Sequence, residues 1–265
     1  GGAGTVTSSA TISKTSAGRI VDIGTRTAGS ITLSGTLTCN SGCTGINING
    51  NSGGSVTLSG AGSTLNTAAA QAVTLATNTG STIDFSGGGL AINTTSGLGF
   101  GATGGGTIGV GGSGNTIDSS GGQAMNVDNT GIAAGGMSFQ RISSNGGANG
   151  IVLNTTGAAG GLTVTGTGAA GSGGVIQNKT ARGVSATNSR NLSLSWMTFT
   201  NTATTNGADP ANAAGTCGVI ASGGSNTGCN AAVFLNTVTN AALDRITIGS
   251  SAQQGINLNL VDGFT

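Results

Sequence analysis

GININGNSGGSVTLSG, residues 45–60, decides the fold. It holds two apolar–polar alternations, Ile46-Asn47-Ile48 and Val56-Thr57-Leu58, separated by a run of Asn, Gly and Ser. Strict alternation marks half-buried strands, and Gly, Asn and Ser mark turns. Neither strand is long enough to bury its own inward face, so other segments must cover it.

Those segments recur along the chain. The first strand returns at Val21, Ile46, Val73, Phe100, Met125 and Ile151, in steps of 25 to 27 residues, and again at Val184, Val233 and Ile256. The second returns as ITL (31–33), VTL (56–58), IDF (83–85), IGV (108–110), MSF (137–139), LTV (162–164), LSL (192–194) and, less cleanly, LDRITI (243–248). A weaker third strand follows Leu37, Leu65, Ile92, Ile117, Ile142, Ile176, Phe199 and Ile248. Repeats of this length, each unable to bury its own face, are the signature of a solenoid. The sequence predicts an all-β, right-handed parallel β-helix of eight or nine coils, with about 25 residues and three short strands per coil, each strand pairing about 4.8 Å from its counterpart one coil away. A β-sandwich needs no such constant period and would show hairpin turns.

Residues 1–265 form a single β-helix domain. The chain opens on GGAGTVTSSA without an initiating Met and closes on GINLNLVDGFT within a strand pattern. The expectation is a piece of a longer protein. The first-strand step doubles before Val233, and residues 201–229 are read as a loop insertion holding the only Pro and a Cys pair. Long solenoid loops often carry function. Asp209, Pro210, Asn212 and Asn226 are therefore the candidate binding residues.

Composition narrows the function. Charged residues are 6%, against roughly 25% in ordinary domains. Net charge is +1, so no basic surface exists to neutralise phosphates, and nucleic acid is not an expected partner. No stretch approaches the roughly 18–20 apolar residues of a membrane span. His is absent, and the seven carboxylates are Asp22, Asp84, Asp118, Asp128, Asp209, Asp244 and Asp262. In the repeat, no two fall on adjacent coils of one ladder, which leaves acid–base chemistry without a pair. No enzyme activity, metal or cofactor is expected. The glycines lack the repeated Asp of calcium-binding solenoids and the G-K-[ST] of phosphate loops. The Thr faces lack the constancy of an ice-binding surface.

Cys39 and Cys43, and Cys217 and Cys229, lie close in sequence. With no His and no C-x2-C spacing, two local disulfides are predicted, which places the chain in an oxidising, extracellular or cell-surface compartment. Asn49, Asp128, Asn154, Thr187, Asn236 and Asn259 each end a first strand and are read as a structural ladder, with left-handed turn backbone and stacked side chains. The six Phe are expected inside, with Trp196 capping or flanking them. N-x-[ST] triplets at Asn93, Asn154, Asn178 and Asn191 are expected by chance in so polar a chain.

GVSATNSRNLSLSWMTFTNT (183–202) and AVFLNTVTNAALDRITIGSSAQQGINLNLVDGF (232–264) carry Gly-Val-x-x-x-Asn, then NLSL, then an apolar residue, Thr and Asn. This pattern resembles the parallel β-helix repeats of autotransporter passengers, filamentous haemagglutinin-like exoproteins and phage tailspikes. The resemblance implies an exported, bacterial structural or adhesive stalk. Its partners would be host or cell-surface glycans or proteins, and further copies or a continuing chain at the β-helix ends.

Overall fold

A computed structural model describes residues 2–40, 42–205, 207, 217 and 227–265. Every described strand pair is parallel, no helix occurs among the described residues, and the chain winds as a β-solenoid of about 10 turns roughly 25 residues apart. This is more than the eight or nine coils expected, because the irregular N-terminal segment already contributes Val6–Ser8 and Ile12–Lys14 as rungs.

Three ladders run along the axis. The first stacks Val21–Gly24, Ile46–Asn49, Val73–Ala76, Phe100–Thr103, Met125–Asp128 and Ile151–Asn154 without a slip. The second contains Ser55–Leu58 and Thr82–Phe85, the third Thr64–Ala68 and Ala91–Thr94. The two alternations of residues 45–60 are thus sides of one coil, covered by the coils on either side. Val184–Ser195 and Ala231–Asp244 pass through both of the first two ladders, joining them into one 16-stranded sheet beside a 9-stranded one.

Inward apolar residues form one continuous core. Phe85, Phe100, Phe139 and Phe199 lie in it, and Phe100 meets Phe85 and Phe139 edge-to-face at 5.7 and 6.4 Å between centroids. Two of the six Phe depart from expectation. Phe264 is 41% exposed, and Phe234 is buried on the outward face of its strand, outside the core. Trp196 flanks the solenoid, half-buried under the Arg245 guanidinium at 4.7 Å.

Coils touch closely at their corners. A Cβ on Gly60 would lie 2.0 Å from the Gly35 carbonyl oxygen one coil below, so only Gly fits there. The turn after the first ladder is left-handed, but not at the residues expected. Asn49, Asp128, Asn154, Thr187, Asn236 and Asn259 are the last extended residues. The positive φ falls one position later, at Gly50, Asn129, Thr155, Asn188, Thr237 and Leu260.

The anchors of the other two ladders also need correction. Ile108 pairs with Ile132 and Val110 with Met137, so Met137 sits one inward position further along than MSF was aligned, and residues 133–136 bulge out. Cys39, not Leu37, stacks on Leu65, and Ile176 stacks on Ser144, not Ile142. In the last full coil the second ladder is carried by Ala241–Leu243, while Ile248 belongs to the third. The Cys39 and Ile176 corrections are slips of two residues. A period of two keeps the same face inward, so hydrophobic pattern alone does not detect them.

Candidate functional site

The insertion leaves and re-enters the solenoid at one corner, between the third and first ladders. One coil below, residues 178–183 join Gly174–Gln177 to Val184–Ser195. In the inserted coil, residues 201–205 follow the same path. The Lys179 amide donates to Asn201 O at 3.1 Å, and the Thr204 and Thr205 amides donate to Lys179 O and Thr180 O at 3.1 and 2.8 Å. On the return, the Gly183 amide donates to Ala231 O at 3.2 Å. The Asn230 side-chain amide closes the gap by donating to Thr205 O at 2.8 Å. Between the paired residues Gln177/Thr200 and Val184/Val233, residues 201–205 with 230–232 make eight where residues 178–183 make six, so the corner closes without residues 206–229 and they are surplus to the coil.

The neck is bound to its surroundings. Gln253 Oε1 accepts from the Gly207 amide at 3.1 Å and from the Asn230 amide at 2.8 Å. Cys217 and Cys229 form a disulfide with Cα atoms 5.6 Å apart. Arg182 donates to Thr227 O at 2.8 Å, Cys229 O at 3.3 Å and Ser185 Oγ at 3.2 Å, and its guanidinium lies 3.3 Å from the Phe234 ring centre. Burial lowers its pKa from the usual guanidinium value. Arg182 thus ties the returning leg to the outer face and covers Phe234, which explains why an outward Phe is buried. Arg182→Ala should cost roughly 1–3 kcal/mol locally, the worth of charge-assisted hydrogen bonds. Faster proteolytic nicking between residues 206 and 229, with the solenoid resisting digestion, is the expected observation.

Asp209, Pro210, Asn212 and Asn226 lie outside the described residues. The second disulfide, Cys39–Cys43, closes a corner of the third ladder, and no described cysteine is free. Two disulfides place the chain in a non-reducing environment.

The register puts Asn49, Asp128, Asn154, Thr187, Asn236 and Asn259 in one column, interrupted by Ala76 and Thr103. Asn154 donates to Asp128 Oδ1 at 2.8 Å, and Asn259 donates to Asn236 Oδ1. Sequence reasoning missed other Asn stacks, among them Asn240 donating to Asn191 Oδ1 at 3.1 Å. Asn93 donates to Asn66, which donates to Asn40. Asn201 donates to Asn178, which donates to Asn145. Inside the solenoid, Asn51 donates to Asn78 at 2.7 Å. The signal was available: Asn40, Asn66 and Asn93 recur at the coil period. Three of the N-x-[ST] asparagines, Asn93, Asn178 and Asn191, are members of these stacks.

The described carboxylates are dispersed. Asp22 accepts from Asn47 at 2.7 Å, Asp118 pairs with Arg141, and Asp244 lies 3.8 Å from Arg245. No group of three or more His, Cys, Asp or Glu able to hold a metal occurs among the described residues. No helix there is long and apolar enough to cross a membrane. Sequence reasoning also missed Lys179, whose side chain is fully buried. Its ammonium donates to Ser144 Oγ at 2.5 Å, Gly122 O at 3.2 Å and Gly146 O.

Comparison with protein families, curated proteins and solved structures finds no match for this chain.

Proposed function

We propose that the protein is a non-enzymatic, extracellular bacterial surface protein, a β-helix stalk that displays residues 206–229 for attachment to surface glycans or proteins. The observation that carries this is the completeness of the corner without the insertion. A segment that adds nothing to the coil, yet is closed by its own disulfide and tied down by Arg182 and Gln253, is held for use outside the fold. The likeness of residues 183–202 and 232–264 to autotransporter passenger repeats points the same way.

The test is a chain lacking residues 206–229, with Thr205 joined to Asn230. Its unfolding free energy in urea should fall by no more than roughly 1–3 kcal/mol, the worth of the Arg182 bonds to Thr227 O and Cys229 O that leave with the segment. On arrays of glycans and matrix proteins, every ligand bound by the parent should be lost. A shortened chain that fails to fold would make the segment a core coil. A parent that binds nothing, or a shortened chain that binds equally well, would end the proposal.

The alternative is a filament subunit stacking end to end. It draws on the last described coil, where Ile256, Leu258 and Leu260 are 43%, 43% and 75% exposed. Open strand edges with apolar side chains pair with further strands. Sedimentation should then show concentration-dependent growth that Leu258→Lys suppresses. Monodisperse sedimentation at all concentrations would remove this alternative.

A further inference from the structure

We propose that the outward face of the second ladder carries a binding site centred on Asp84, for a sugar unit bearing a free, protonated amine. The site is separate from the insertion and does not depend on it.

The outward column of this ladder reads Thr7, Thr32, Thr57, Asp84, Gly109 in continuous register. Four successive rungs carry a polar side chain, and the fifth carries none. Beyond Gly109 the pairing slips, and residues 133–136 bulge outward. Bulges re-aim the surface next to functional sites. The bare rung and the bulge together enclose a concavity of about 540 Å³, within the range of small-ligand pockets. The hydroxyls of Thr57, Thr82 and Ser86 line it around Asp84.

Asp84 is half-buried, and among the described residues its carboxylate has no hydrogen-bond or ion-pair partner. Three other described carboxylates are satisfied from an adjacent coil: Asp22 by Asn47, Asp118 by Arg141 and Asp128 by Asn154. Asp84 differs because Gly109 occupies the rung that would supply the donor. A Cβ on Gly109 would lie 2.7 Å from Asp84 Oδ1 and 3.8 Å from Ala133 Cβ, so glycine keeps the carboxylate open to the concavity.

The chemistry of the ligand follows. Every lining group other than Asp84 is uncharged, so the site presents one uncompensated negative charge in a partly enclosed setting. A cation gains most there. The hydroxyls around the carboxylate match a ligand that carries hydroxyls beside its ammonium. An amino sugar with a free amine has both. Its N-acetylated form lacks the charge and adds bulk where the amine would meet Asp84.

The experiment titrates the folded chain with a tetramer of glucosamine and, separately, with its fully N-acetylated counterpart, by calorimetry. The expected result is binding of the glucosamine tetramer that weakens with salt, and no binding of the acetylated one. Asp84→Asn should lower affinity roughly tenfold or more, the effect of losing one charge-assisted hydrogen bond. Gly109→Ala, which crowds the carboxylate, should lower it as well. Asp22→Asn, which removes an equal charge on another ladder, should leave it unchanged. Failure of the parent to bind the glucosamine tetramer, equal binding of the acetylated tetramer, or an Asp84→Asn affinity equal to the parent's would each overturn the proposal.

Discussion

Phe100→Ala is expected to lower stability by roughly 3–5 kcal/mol, the range for deleting a fully buried aromatic ring. Phe100 has no exposed surface and lies between Val73 and Met125 on its ladder. It touches Phe85 and Phe139 edge-to-face, contacts each worth a further 0.5–1.5 kcal/mol or so beyond area burial. The neighbouring inward residue on its strand is Ala102, which cannot grow to fill the void. The consequence goes beyond one residue, because a solenoid's stability is approximately a sum of repeat terms and nearest-neighbour interfaces. Weakening the coil at Phe100 weakens both of its interfaces, in the middle of the array. Urea unfolding followed by circular dichroism should show a lower midpoint and a broadened or two-step transition. Phe264→Ala, at a ring already 41% exposed, should change the midpoint by much less. Equal shifts for the two variants would mean that the stack around Phe100 is not the core of the array.

The sequence was most legible where periodicity alone suffices. Ile, Val and Leu return at every coil, and that return defines the three ladders and their parallel pairing. Phase was harder. Inward residues come two apart, so Leu37 and Cys39, or Ile142 and Ser144, serve equally well as anchors by pattern, and only pairing separates them. The insertion was visible as a doubled step. Its neck was not, because Arg182, Phe234 and Gln253 carry no periodic signal. The Asp84 concavity depends on a glycine one coil away and on the bulge beyond it, which alternation hides. Lys179 was missed because lysine is almost never fully buried without a partner.

That lysine gives the second large effect. Desolvation lowers its pKa from 10.5 to about 8, and no described carboxylate pairs with it. Below pH 8 the ammonium is charged in both the folded and the unfolded chain, and burying it works against folding. Between pH 8 and 10.5 the unfolded chain still holds the proton that the folded chain has released, so stability rises with pH. The full rise is about 3 kcal/mol for a shift of this size. Lys179→Met should therefore be more stable than the parent at pH 7 by roughly 1–3 kcal/mol, as when buried charges are replaced by apolar groups of similar volume. Gly122 O keeps a donor in the variant, because Ser144 Oγ already donates to it at 2.6 Å. The advantage should vanish as pH approaches 10.5. The composition makes the measurement clean: there is no His and no Tyr, and the only other lysine is Lys14. Lys14 and the α-amino group remain in the variant and cancel in the comparison. Urea midpoints of parent and variant at pH 7 and pH 10 are the test. Converging curves would locate the pH dependence in Lys179, whereas parallel curves would show that its ammonium is solvated by the carbonyl oxygens of Gly122 and Gly146 as well as it is by water.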